Sequence, residues 1–233
     1  MYYNFSGMDE KKYWEIINLR YSESFEILKN FLIESNNKFN LTSIIGEKEI
    51  YLKHFLDSVM GESYFPENAA VAEVGSGGGF PSLPLKIIRE DLSFLLIEST
   101  AKKCAYLKEA VDKLNLSCVK VFCGRAEDAG REVIHREKYD VAEARAVARL
   151  NTLAEYCMPL VKVGGRFIAY KGDCDGEIKE AEKAITILGG GIEKVEKYTL
   201  GGDKRTLVIV KKIKPTPPKY PRGQGRERKN PIV

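Results

Sequence analysis

The chain has 233 residues, 37 Lys+Arg against 33 Asp+Glu and 44% hydrophobic residues, the composition of a folded globular protein. Its longest uninterrupted apolar run is four residues, which excludes a membrane-spanning helix of about 20. No basic stretch leads into an apolar one at the start, so no secretory signal is read and a cytoplasmic location is expected. Five irregularly spaced cysteines without a C-x-x-C pair, and two histidines, suggest neither a disulfide framework nor a metal site.

Residues 1–65 carry only helical spacing. Apolar positions such as Phe25, Leu28, Phe31 and Leu32 predict helices over Asp9–Leu19, Ser22–Phe39 and about Glu47–Met60. The early aromatics Tyr2, Tyr3, Phe5 and Trp14 read as base-stacking groups or, more commonly for such residues, as core. His54 and Asp57 share a helix face at i, i+3, whereas Asp57 and Ser58 point apart, so the three do not form a hydrolytic triad. A hydrogen-bonded structural link between His54 and Asp57 is expected instead.

From Ala69 short apolar strands alternate with helices, the signature of a parallel sheet. Strands are expected at Ala69–Val74, Leu92–Glu98, Cys118–Cys123, Tyr139–Ala144 and Arg166–Lys171. Helices fall at about Pro81–Arg89, Ala101–Asn115, Glu127–His135, Asn151–Val161 and Asp175–Leu188. Two last strands, Ile192–Leu200 and Arg205–Lys212, meet through Gly201-Gly202, a hairpin signal that makes them antiparallel. Beyond them, Lys211 to Val233 holds eight basic residues and one acidic, a net +7, while the other 210 residues net −3. Its prolines and glycines predict an extended segment, either a solubilising terminus or an arm that neutralises phosphates.

The stretch Ala72-Glu-Val-Gly-Ser-Gly-Gly-Gly-Phe-Pro81 is a strand running into a glycine turn and a helix. Glycines at Gly75, Gly77 and Gly79 let the backbone turn sharply and approach a ligand at the helix N-terminus. Phe80 stands where a dinucleotide-binding turn wants its third small residue, which disfavours NAD. Glu73 and Glu98 are expected at the carboxyl edge of the sheet, where a carboxylate accepts from ribose hydroxyls. A nucleoside bearing a positive charge, such as S-adenosylmethionine, suits this edge. Gly124-Arg-Ala-Glu127 and Ala144-Arg145-Ala146 deliver two further loops to it.

These segments, in order with Asn40-Leu-Thr42, His54-Phe-Leu-Asp-Ser58, Leu96-Ile-Glu98 with Lys102-Lys103, Lys171-Gly172 and Tyr220-Pro-Arg222, resemble the bacterial 16S ribosomal RNA 7-methylguanosine methyltransferases, the glucose-inhibited division protein B family. The resemblance implies an α/β, Rossmann-like class I methyltransferase fold: a seven-stranded, mostly parallel sheet with its last strand antiparallel, and a small N-terminal helical cap. It implies a cap over residues 1–65, a methyltransferase domain over 66–212 and a basic tail over 213–233. It implies S-adenosyl-L-methionine as cofactor, contacted by Gly75, Gly77, Phe80, Glu98, Ala126, Glu127 and Arg145, and no metal. The implied substrate is a guanosine in the 530 loop of 16S rRNA within the small ribosomal subunit, and the enzyme is expected to be monomeric. Position 73 is Glu where the family commonly has Asp, and Ser82 stands where Gly is common.

Guanine N7 carries a lone pair and no proton, so its methylation needs no general base and no nucleophilic His or Cys. Arg145 is the candidate catalytic residue, pairing with the base or its phosphate; the alternative is an ion pair to Glu143 or Glu127. Lys171 either contacts phosphate or is an ordinary surface lysine. The rival functions are methyl transfer to a small molecule or protein, and a cofactor-binding regulator of ribosome assembly without turnover.

Overall fold

The computed structural model describes residues 8–233; Tyr2, Tyr3 and Phe5 lie outside the described residues. Seven strands, β1 (Ala70–Val74), β2 (Ser93–Glu98), β3 (Val119–Cys123), β4 (Tyr139–Arg145), β5 (Val161–Lys171), β6 (Gly190–Leu200) and β7 (Asp203–Lys212), form one sheet. Its order is β3-β2-β1-β4-β5-β7-β6, so the order reverses between β1 and β4 and opens a crevice at their carboxyl ends. The first five strands pair in parallel, and β7 runs antiparallel to both neighbours, β5 and β6. This is the expected fold class.

The period-2 alternation of the strands sends neighbouring residues to opposite layers. Val71, Leu96, Val141 and Ile168 face a core shared with the N-terminal helices, among them Phe25, Leu28, Phe55 and Leu56. Ala72, Ile97, Ala142 and Phe167 face the other layer, built on the helices Leu150–Cys157 and Asp175–Ile187. Residues 47–59 form one continuous helical stretch whose middle, Ile50–Leu56, is wound as a π-helix. Trp14 packs edge-on to Tyr51 against the first core, the ordinary use of a helical aromatic.

Several boundaries differ from expectation, among them the start of β5, at Val161 and not Arg166, and the ends of two helices. The helix expected over Glu127–His135 is only Ala126–Ala129, ending at Gly130, whose carbonyl takes the Arg136 guanidinium. The helix Leu150–Cys157 stops four residues short of Val161, which already belongs to β5.

The C-terminal segment is also not the extended arm expected. It folds back on the second layer and ends in a helical turn, Arg226–Lys229, with Tyr220 and Glu227 buried. Prolines at 215, 217, 218 and 221 remove backbone donors but leave carbonyls that still need partners. Arginines of the body supply them: Arg136 donates to the carbonyls of Thr216 and Tyr220, and Arg131 to those of Pro221 and Arg222. Part of the tail's charge is spent internally, since Arg222 forks onto Glu155 and Lys212 pairs with Glu137.

At the centre of the sheet Glu73 of β1 lies opposite Glu143 of β4, and both are fully buried. Ser82 donates to Glu143 at 2.7 Å, while neither oxygen of Glu73 makes a hydrogen bond among the described residues. The two departures from the family pattern, Glu73 and Ser82, therefore bear on one buried acidic pair. Glu73 does not reach the ligand edge as expected, because its parity in β1 turns it into the first core. Burial pushes its carboxyl up to about 7, and burial together with the charge of Glu73 pushes Glu143 up as well. Two carboxylates so placed cannot both ionise, so the pair holds a proton that the unfolded chain releases near the ordinary 4.5. This stabilising contribution is present at low pH and lost as pH rises through about 7. Glu73→Gln, which keeps the shape without the ionisation, is expected to flatten the fall in melting temperature between about pH 5 and 8.

Candidate active site

The carboxyl ends of β1 to β4 enclose a cavity of about 220 Å³, lined by Gly75, Gly77, Glu98, Ala126 and Glu127. The amides of Gly75 and Ser76 both donate to Ile97, at 2.8 and 3.1 Å, which folds the turn onto β2. Gly75 has φ +73°, and a Cβ there would lie 2.5 Å from Val147 Cγ2, so the close passage needs glycine. Gly79, at φ +84°, meets the following helix as tightly, with Leu83 Cδ1 2.2 Å from its notional Cβ.

Glu98 accepts the Gly77 amide on one oxygen at 3.0 Å and the Thr100 amide on the other at 2.8 Å. Each oxygen keeps a lone pair for a further donor, which is the arrangement a ribose diol requires. The cavity has a glycine floor that any side chain would fill and a preset carboxylate, so these residues fit a nucleoside cofactor. No group of three or more metal-ligating side chains occurs among the described residues.

Arg145 and Phe80 lie elsewhere. Arg145, at the end of β4, shares the parity of Val141 and Glu143 and so points towards the N-terminal helices. Its Nη1 donates to Asp57 Oδ2 at 2.9 Å and to the carbonyl of Lys53 at 3.3 Å. The ion pair foreseen to Glu143 or Glu127 is thus made with Asp57, a residue 88 positions away. Asp57, 3% exposed, also accepts from Tyr198 Oη at 3.0 Å and faces Arg205 at 3.4 Å.

His54 and Asp57 do not bond each other directly; Arg145 bridges them, its Nη2 lying 3.3 Å from His54 Nδ1. A guanidinium only donates, so Nδ1 accepts and the ring proton sits on Nε2, which lies 2.9 Å from Thr42 Oγ1. Burial first, and the Arg145 charge second, push His54 down to about 3, so the ring stays neutral. Phe80 stacks face to face on it at 4.4 Å, and the Arg145 guanidinium lies 5.4 Å from the Phe80 ring centre. Phe80 therefore braces His54 and Arg145 and does not line the glycine-turn cavity.

Beside this network is a second cavity of about 280 Å³, lined by Lys53, His54, Asp57, Arg145, Lys171 and Arg205 among others. Lys171 is no free surface lysine, since it pairs with Glu177 at 2.8 Å and donates to the Ala148 carbonyl. Ala146 lines both cavities and holds φ +57°, a conformation uncommon for a residue with a Cβ. Lys53, Arg205, Tyr156 and Arg228 were missed by the sequence reading. Arg205 lies near the start of β7 opposite Tyr198 of β6, and that hairpin brings both side chains to Asp57.

The family model described as rRNA small subunit methyltransferase G matches residues 21–208. The chain is 48% identical over 218 residues to ribosomal RNA small subunit methyltransferase G of Lactobacillus acidophilus, covering 90% of each chain. It is 45% identical to the protein of that name from Brevibacillus brevis, covering 92% of each. Among solved structures it resembles M. jannaschii TYW2 in complex with AdoMet, with a TM-score of 0.56 and 14% identity over 73% of this chain and 80% of that one. It also resembles the B. subtilis M1A22 tRNA methyltransferase TrmK, with a TM-score of 0.54 and 16% identity over 68% and 66%. At such identities the last two show the fold.

The Asp57 network carries a stability prediction. Asp57→Ala leaves the guanidiniums of Arg145 and Arg205 uncompensated and is expected to cost roughly 3 kcal/mol or more. Urea unfolding of the wild type and variant measures it.

Proposed function

The chain belongs to the rRNA small subunit methyltransferase G family, S-adenosylmethionine-dependent ribosomal RNA methyltransferases, and from that premise we propose that its two adjoining cavities hold cofactor and acceptor guanosine. The observation that carries this reading is that Ala146 lines both cavities, so that they adjoin at the end of β4. The acceptor is N7 of a guanosine in the 530 loop of 16S rRNA, presented by the small subunit to a monomeric cytoplasmic enzyme. The curated relatives carry the small-subunit name, which supports that substrate.

In the first cavity Glu98 takes the ribose hydroxyls and the Gly75 to Gly77 backbone passes along the cofactor. S-adenosylmethionine supplies an activated methyl group on sulfur. Ala126 and Glu127 line the end of the cavity beyond Glu98. On the acceptor side the Arg145 fork is aimed by Asp57 and His54 and pairs with guanine O6, leaving N7 unobstructed. Lys53, Lys171 and Arg205 surround the entrance with positive charge suited to phosphates. The target base has to leave its stack to enter. Since N7 has no proton to lose and His54 is neutral, catalysis consists of alignment and electrostatics.

The test is transfer of labelled methyl from S-adenosylmethionine to small subunits lacking the modification, run beside naked 16S rRNA and transfer RNA. Label at one 7-methylguanosine of the subunit is expected; cofactor binding without label on any RNA would sink the reading. Arg145→Lys, which keeps charge but loses the planar fork, is expected to lower kcat about 100-fold or more. The wild-type kcat is expected to stay flat between about pH 6.5 and 8.5, because no group is called on to move a proton.

A further inference from the structure

Arg228 reaches the cofactor cavity from the far end of the chain and lines it together with Tyr156. Its Nε donates to Tyr156 Oη at 3.3 Å, and its two terminal amino groups have no protein partner among the described residues. A cation left unpaired at the wall of a binding cavity is available to whatever fills that cavity.

The segment that brings it there is seated with care. Arg222 forks onto Glu155, the sequence neighbour of Tyr156, with contacts of 2.7, 2.9 and 3.1 Å. Glu155 is 1% exposed, so this bidentate pair is desolvated and geometrically fixed. Thr152 of the same helix donates its hydroxyl to the Glu227 carbonyl at 3.0 Å, and Asn151 reaches the Ile232 carbonyl at 3.4 Å. The residues on both sides of Arg228 are therefore anchored to the helix Leu150–Cys157 that carries Tyr156.

The lining also tells which end of the cofactor Arg228 meets. With the ribose assigned to Glu98 at the end of β2, the sulfur side has to face the acceptor cavity, which adjoins at Ala146. The purine is left for the side of Gly124 to Glu127, after β3. Tyr156 lies there, since the helical turn Ala126–Ala129 packs against the helix Leu150–Cys157 that carries it and both line the same cavity. A planar guanidinium beside a tyrosine offers a purine a face to stack on, with a cation–π attraction that an ammonium supplies less well.

Resting on the assignment of the first cavity to S-adenosylmethionine, we infer that the C-terminal segment is part of the cofactor site. Arg228 together with Tyr156 binds the adenine end. The docked tail is then coupled to cofactor occupancy, and by linkage the cofactor holds the tail in place.

Calorimetric titration of the full chain with S-adenosylhomocysteine tests this without turnover. Wild type is expected to bind, Arg228→Ala to bind at least tenfold more weakly with an unchanged ligand-free melting temperature, and Arg228→Lys to recover little of the loss. The same fold-loss is expected with methylthioadenosine, which lacks the amino-acid end. Saturating S-adenosylhomocysteine is expected to slow tryptic cleavage at Arg226, Arg228 and Lys229. Wild-type affinity in Arg228→Ala, with the effect appearing instead in KM for the small subunit, would assign Arg228 to RNA and overturn the inference. A loss confined to S-adenosylhomocysteine and absent with methylthioadenosine would overturn the adenine assignment. Failure of wild type to bind either ligand would instead strike the cofactor assignment itself.

Discussion

The ion pair between Arg145 and Asp57 is the contact on which the arrangement of the molecule turns. Arg145 ends a central strand, and Asp57 closes a helical stretch from the N-terminal region; their 2.9 Å contact fixes one against the other. A desolvated pair costs more than it returns unless its remaining donors and acceptors are also satisfied. Here most are: Tyr198 and Arg205 complete Asp57, while backbone carbonyls take Arg145 Nη1 and a neutral His54 accepts one bond from Nη2. The network that holds the helices to the sheet is the same one that orients the guanidinium in the second cavity.

The centre of the sheet shows a different balance. Glu73 and Glu143 sit side by side, both fully buried, and the Ser82 hydroxyl donates to Glu143. Such a pair is tolerated because burial and mutual repulsion raise both carboxyls and favour their protonated, neutral forms. It lies directly behind the glycine turn, and the hydroxyl that serves it belongs to the helix that follows that turn.

Charge in this chain is less free than its count suggests. Arg131 and Arg136 serve as donors to a proline-rich segment that cannot supply its own, and Arg222 is bound to a buried glutamate. What looks in sequence like a cationic arm is in large part a docked wall of the domain. Other cations gather where the two cavities open: Lys53, Arg145, Lys171 and Arg205 on one side, each held by a carboxylate, and Arg228 on the other.

The sequence by itself determined the parallel sheet, its antiparallel close and the glycine turn, because these follow from local rules. Strand alternation, helical spacing and the demand for φ above zero at Gly75 act within a few residues. Glu98, Ala126 and Glu127 were legible for the same reason, as each ends or follows a strand at one edge. Tertiary structure alone decided the partners: Arg145 with Asp57, Phe80 with His54, Arg228 with Tyr156. Those pairs are 26 to 88 residues apart, and no local propensity encodes which of several arginines meets which carboxylate. The parity of β1 and β4 held a clue, since it put Glu73, Glu143 and Arg145 on the face of the N-terminal helices. Choosing their partners required the packing of those helices, because a desolvated charge takes its partner from whatever the folded core brings within reach.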